Sequence, residues 1–273
     1  MFNHLVMRIL LTIAFTCLHI FLFGQNNGAR STAMGDLKLG LSDLFSAVNN
    51  QAMLPEIQEF QVGINVHNQY LIKNLNTGAL AFAILLGKGT SAFNFTSYGY
   101  QLYRENKIGL SYAMALSPSF SLGIGLNYHS LRLGEGLGME YSFYPDIGLN
   151  YKPIDKLNIG IQFQNITLSK KVKQLDELWP VTGRLGLIYF INDKLLIGIQ
   201  GNVYTDRPFE INSGLEYTFS DHFSFRFGFA SQPNRASLGI GFRSKLFQID
   251  LASSYRANIG FTPSINLVFI NGK

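Results

Sequence analysis

From residue 58 onward, apolar and polar residues alternate with a period of two, the spacing of an extended chain whose side chains point to opposite faces. The stretch FSFRFGF (223–229) is the sharpest case: Phe223, Phe225, Phe227 and Phe229 share one face, and Ser224, Arg226 and Gly228 share the other. The pattern predicts fourteen strands, at 58–71, 77–87, 90–103, 107–116, 120–132, 140–152, 156–168, 181–191, 194–204, 209–219, 222–231, 236–244, 246–256 and 263–271. Alternate connections are very short and built from turn-forming residues, as in Gly87-Lys88-Gly89, Ser117-Pro118-Ser119, Pro153-Ile154-Asp155, Asn192-Asp193-Lys194 and Ser220-Asp221-His222. The intervening ones are more varied and include LGEGLGM (133–139) and SKKVKQLDELWP (169–180). An even strand count with tight turns at one end is the pattern of a membrane barrel.

A soluble β-sandwich also alternates, but its outer face carries Lys, Glu and Asp. Here the polar face is mostly Gly, Ser, Asn and Gln with isolated charges, as in Gly123, Gly125, Asn127 and His129 against Leu122, Ile124, Leu126 and Tyr128. Charged residues make up only 14% of the chain, against about 25% for soluble domains. Aromatic residues gather near strand ends (Tyr70, Tyr98, Tyr103, Tyr141, Tyr144, Tyr151, Tyr204, Tyr217, Phe219, Phe223, Tyr255), where interfacial girdles sit. The expected fold class is therefore all-β, a fourteen-stranded antiparallel transmembrane barrel. The phenylalanines of FSFRFGF then face lipid and Arg226 faces the lumen.

The beginning of the chain reads differently. Arg8 followed by the apolar run LLTIAFTCLHIFLFG (10–24) predicts a signal peptide over 1–24, cleaved near Gly24 or Gln25 and directing the chain to a bacterial outer membrane. The run is too short for a spanning helix, and a retained N-terminal anchor is the alternative. Cleavage removes the single cysteine, Cys17, and one basic residue, leaving a net charge of +4 and no thiol chemistry. Residues 25–57 are polar and contain glycine. Ser42 is expected to cap a short helix with Asp43 in its first turn, Leu44, Phe45 and Val48 on its apolar side, Asn49-Asn50 at its end and Pro55 beyond. Ahead of a barrel at 58–273, such a segment is expected to fold into the lumen as a plug.

This segment resembles the opening of the FadL-type outer-membrane transporter superfamily, in particular the PorV/PorQ family of Bacteroidetes. The matching pieces are Ala29-Arg30, Met34-Gly35, Ser42-Asp43 and Asn50-Gln51-Ala52-Met53-Leu54. The resemblance implies a fourteen-stranded barrel that passes small hydrophobic molecules or serves type IX protein secretion, with secretion components among its partners. It also implies a kinked third strand acting as a lateral gate, for which Gly99 is the candidate. The chain departs from the superfamily in its short loops and in ending Asn-Gly-Lys rather than in an aromatic residue.

No enzymatic signature is present. His67, His129 and His222 are far apart, no Gly-x-Ser-x-Gly surrounds a serine, and LGKGTS (86–91) lacks phosphate-loop spacing, so no cofactor or metal is expected. The basic residues are scattered, which argues against nucleic acid. On the polar strand faces lie Arg184, Arg226, Arg243 and Arg256 with Glu210, Glu216 and Asp250. They suit a ladder of cross-strand ion pairs, or else a track for an anionic solute or a clamp on the plug. The loop ending in Trp179 suits contact with lipopolysaccharide or a partner, or a solvated cap with an interfacial anchor. Transport, a non-conducting scaffold and a rim-located hydrolase are the three function classes left open.

Overall fold

The computed structural model describes residues 28–134, 138–172 and 177–271; the expected signal peptide lies outside them. Fourteen antiparallel strands close into one barrel. In chain order they are β1 (Phe60–Asn68), β2 (Asn76–Leu86), β3 (Gly89–Tyr100), β4 (Tyr103–Ser117), β5 (Phe120–Leu133), β6 (Gly138–Ile154) and β7 (Leu157–Gln164), then β10 (Thr182–Asn192), β11 (Leu195–Tyr204), β12 (Glu210–Ser220), β13 (Phe223–Ser231), β14 (Asn234–Arg243), β15 (Phe247–Arg256) and β16 (Gly260–Asn271). The small hairpin of β8 (Lys170–Val172) and β9 (Glu177–Leu178) lies outside the wall, in the connection between β7 and β10. Closure comes from β1 pairing with β16, from Phe60 opposite Asn271 to His67 opposite Ser264. A sheet closed on itself leaves no edge to aggregate.

The alternation resolves as the barrel reading requires. Phe223, Phe225, Phe227 and Phe229 are 43–54% exposed on the outer wall, whereas Arg226 is 6% exposed in the lumen. Outward Leu, Ile and Phe recur on every full-length strand, while Asn65, Asn94, Asn127, Gln162, Gln200, Asn212 and Asn266 are buried inside. A wall apolar outside and polar inside is stable only when lipid covers it.

The lumen is filled on the tight-turn side by residues 28–57. Helix α1 (Ala29–Ala33) is followed by two 3-10 turns, Leu44–Ala47 and Gln51–Glu56. Two expectations for this segment are corrected. Asp43, not Ser42, is the cap: its carboxylate accepts from the Phe45 N–H at 2.9 Å, while the Ser46 hydroxyl accepts from the Asp43 N–H at 3.2 Å. Asn50 opens the next turn by accepting from the Ala52 N–H, and Pro55 sits inside that turn. A 3-10 turn this short asks for few amide donors, so the proline is tolerated.

Two apolar groups seat the plug. Leu44, Phe45, Ala47, Leu54 and Ile57 pack on Ala81, Ala83, Ala92, Ala113, Val268 and Ile270 of the wall. Met34, Leu37 and Leu41 pack on Ile188 and Leu196. Room for backbone comes from lumen-facing glycines. A Cβ at Gly228 would lie 2.0 Å from the Gly35 nitrogen, and one at Gly123 would lie 2.4 Å from the Gln51 carbonyl carbon.

The aromatic ends divide. Tyr141, Tyr151, Tyr217, Phe219, Phe223 and Tyr255 are exposed on the outer wall as a girdle requires, but Tyr98, Tyr103 and Tyr144 turn inward and are buried. Trp179 is also no interfacial anchor. It is 5% exposed, lies 4.3 Å from the His129 ring and donates its indole N–H to the Ser142 hydroxyl.

Candidate functional site

The plug motif residues meet the wall through specific bonds. The Ala29 N–H donates to Asn266 Oδ1 at 3.0 Å. Arg30 reaches across the lumen, its Nε and Nη2 donating to the two carboxylate oxygens of Glu216 at 2.8 and 2.7 Å, and its Nη1 to the Ser42 carbonyl at 3.0 Å. This bidentate geometry is the strongest form of an arginine–carboxylate contact. Glu216 also accepts from Arg226 Nε at 2.5 Å, and Arg226 Nη1 donates to Asp250 at 2.7 Å. Burial alone would lower the Arg30 pKa, but the Glu216 carboxylate more than reverses this, so the guanidinium is held charged. Burial pushes Asp43 up, against the pull of Arg30 3.8 Å away. Met34 lies over Gly214, and Gly35, at φ +71°, lies on the backbone of Phe229. Asn50 Nδ2 donates to the Leu149 carbonyl at 3.2 Å, the Ala52 carbonyl accepts from Ser121 at 2.7 Å, and Leu54 is fully buried.

Above the plug, on the loop side, the barrel holds a chamber of about 460 Å³. Asp36 and Lys38 of the plug form part of its lining, together with wall residues Arg184, Gln200, Glu210 and Arg235 and loop residues Trp179 and Arg207. Residues 165–172 and 177–181 of the connection fold back over the mouth. Asn165 Nδ2 donates to the Trp179 carbonyl at 2.7 Å, and the Lys171 ammonium sits 5.2 Å over the Trp179 ring and 3.7 Å from Glu105. Arg235 pairs with Asp36 and, at 3.1 Å, with Glu210, which also accepts from Tyr204 at 2.9 Å. Gln200 Oε1 accepts from the Lys38 and Leu39 N–H groups at 2.9 and 3.0 Å. Burial, aided by the nearby Arg184 charge, brings the Lys38 ammonium down to about 7.

Of the expected ladder, Arg226, Glu216 and Asp250 meet in one network, joined by Arg30 from the plug. Arg184 and Glu210 line the chamber instead, where Arg184 bonds to Gln162 and Gln164 rather than to an acid. Arg243 is exposed at the tight-turn end of β14, and Arg256 lies beside the Tyr70 hydroxyl at 3.4 Å near the opposite rim. Gly99, at φ +101°, stands near the loop end of β3, where a Cβ would lie 2.1 Å from the Tyr103 carbonyl oxygen. The ladders on both sides of β3 run without a register shift, so the wall beside it is closed. The alternation marked none of Asp36, Lys38, Lys171, Arg207 and Arg235. Asp36 and Lys38, two opposite charges in a segment expected to be buried, were the available signal, because buried charges need partners.

Among the described residues, no group of three or more His, Cys, Asp or Glu could hold a metal. His129 bonds to the Tyr144 hydroxyl at 2.8 Å, and its Nδ1 has no partner among the described residues, so no acid orients it toward Ser142 on the neighbouring strand.

No protein-family model matches the sequence, and no curated protein does. The fold has clear likenesses among solved structures. The toluene transporter TbuX of Ralstonia pickettii superposes with a TM-score of 0.65 at 14% identity, over 89% of this chain and 97% of that one. A FadL homologue from Pseudomonas aeruginosa gives 0.61 at 14% identity with the same coverage. The toluene transporter TodX of Pseudomonas putida gives 0.62 at 12% identity, over 89% and 96%. The chain thus shares the barrel fold of these FadL-like transporters.

Proposed function

We propose that this chain is a non-enzymatic channel of the bacterial outer membrane that takes up a small molecule through a chamber closed below by a movable plug. The observation that carries this is the plug itself: residues 28–57 fill the lumen and floor the chamber, and only non-covalent contacts hold them there. In this reading residues 1–24 are removed on export, which the mass of the mature protein tests, and outer-membrane lipid with its lipopolysaccharide covers the wall. Hydrophobic cargo is the expectation carried over from the toluene transporters. The charged side chains in the otherwise mixed lining of the chamber shift this chain's cargo toward polar solutes. Movement at Gly99 would supply a sideways exit, and the closed ladders of β3 make that a separate, induced step.

A second reading is an accessory role in type IX secretion, or a scaffold without conduction. It is favoured by the resemblance of the plug motif to the PorV/PorQ family and by the mostly buried plug. Planar-bilayer recording with and without residues 28–57 separates the two. A closed full-length barrel that conducts after deletion supports the channel. Silence in both forms, with the barrel verified as folded, overturns it in favour of the scaffold.

A further inference from the structure

The charges of the outer chamber do not all find one another. Asp36 and Glu210 are taken by Arg235, Glu105 by Lys171, and Asp206 by Arg207 at 3.6 Å. Arg184 is different. It is 7% exposed and lines the chamber, yet no carboxylate lies within ion-pair distance of it among the described residues. Its Nη1 donates to Gln162 Oε1 at 2.6 Å and to Gln164 Oε1 at 2.7 Å, two neutral acceptors, and its Nε has no partner. A buried guanidinium is normally paired, because an uncompensated charge is costly away from water. Retaining one beside a cavity is the mark of a site completed by a ligand.

The surroundings define that ligand. Arg184 adds to the positive potential at Lys38 on the chamber floor and at Arg207 on the rim. Gln200 and Asn202 of the adjoining strand β11 add neutral polar surface, although they already bond to the plug amides, to each other and to Asn212. The wholly apolar side chains of the lining are Leu178, Trp179, Pro180 and Pro233, with the rings of Tyr144 and Tyr204 beside them, a surface suited to a short solute rather than a long hydrocarbon chain. We infer that the outer chamber is a binding site for a small hydrophilic oxyanion, a carboxylate or phosphate, anchored on Arg184. The guanidinium fork matches two oxygens of either group. This deepens the channel reading by naming its cargo class, but binding is measurable whether or not the barrel conducts.

Trp179 is the only tryptophan of the chain and lines this chamber, so its fluorescence reports on the site alone. The full mature protein in detergent, in a phosphate-free buffer, is titrated with succinate, inorganic phosphate, neutral succinamide and toluene, with calorimetry in parallel. Saturable binding of succinate or phosphate and none of succinamide is expected, and whichever anion binds more tightly identifies the source chemistry. Arg184→Met should weaken that binding at least tenfold. Arg184→Lys, which keeps the charge but loses the fork, should weaken it severalfold and serves if the methionine variant does not fold. No anion binding by either method, equal affinity in both variants, or binding of toluene alone would overturn the inference. The plug-deletion recordings are independent of this result, so the two proposals fail separately.

Discussion

Replacing Arg30 with methionine tests how the plug is held. The substitution keeps most of the side chain's length and removes two bonds to Glu216 and one to the Ser42 carbonyl. Removing one partner of a buried ion pair costs roughly 3–5 kcal/mol. Glu216 keeps its 2.5 Å bond to Arg226, so the lower end, about 3 kcal/mol, applies here. At 1.4 kcal/mol per decade, this is about a hundredfold in the local opening equilibrium. The opening should be partial. Residues 44–57 rest in their own apolar cluster against β2, β3, β4 and β16 and meet Arg30 only through its 3.8 Å pair with the capping Asp43, whereas residues 28–43 contain both the latch and α1. Native-state hydrogen exchange, read by mass spectrometry on peptides from the plug, should show amides of 28–43 exchanging about a hundredfold faster, with 44–57 unchanged. Uniform acceleration across 28–57 would mean that the plug moves as one body. No acceleration anywhere would mean that the Arg30–Glu216 contact contributes nothing to holding it.

Gly228→Ala places a methyl against the Gly35 backbone, and overpacking of this kind costs about 1–3 kcal/mol. Protease cleavage within the plug should rise while the barrel keeps its compact, heat-modifiable migration on gels. Phe227→Arg puts a charge on the outer wall in the middle of β13, at a cost of about 2–4 kcal/mol in lipid. Its folded fraction in liposomes should fall, and an unchanged fraction would contradict the lipid-facing assignment. Binding of succinate should also depend on pH through Lys38, whose neighbours are Arg184, Arg207, Asp36 and Glu210. With its pKa lowered to about 7, Lys38 is charged below that value and neutral above it. Affinity is then full near pH 6 and weakens by up to about tenfold per unit above 7, until the higher pKa of the loaded site is passed. Affinity that rises with pH would exclude Lys38 as a contributor.

The wall was legible because its information is local. One side chain in two meets lipid, so the period survives in every full-length strand, and Gly, Pro, Asn and Asp mark where strands turn. FSFRFGF carried both faces of the barrel in seven residues. Long-range information was not legible in the same way. Gly228 reads as an ordinary strand glycine until Gly35, nearly two hundred positions away, is laid across it. Trp179 stands in a loop beside Pro180, and nothing near it announces that the loop folds inward onto His129. Tyr98 and Tyr144 share the strand-end placement of the girdle residues, and only burial separates them. At the site, the charges on the strand faces were visible, but their sorting was not. Arg226 met Glu216 directly across the β12–β13 register, while Arg184 met glutamines because the strand beside it offers Gln162 and Gln164 at those positions.

The position of the plug in the chain has a consequence for biogenesis. It precedes β1, yet α1 rests on β14 and β15 and donates a bond to Asn266 of β16, while the Gln51–Glu56 turn rests on β4, β5 and β6. A segment made before any strand of the wall therefore touches strands from both halves of the sheet, including those made last. A sheet that must join its first strand to its last has a heavy loop-closure cost, since that pairing spans the whole barrel. Contacts from the plug to both halves offset that cost, because they hold distant strands close to one another independently of the β1–β16 pairing. The segment that fills the lumen thus also ties the two halves of the wall to one another.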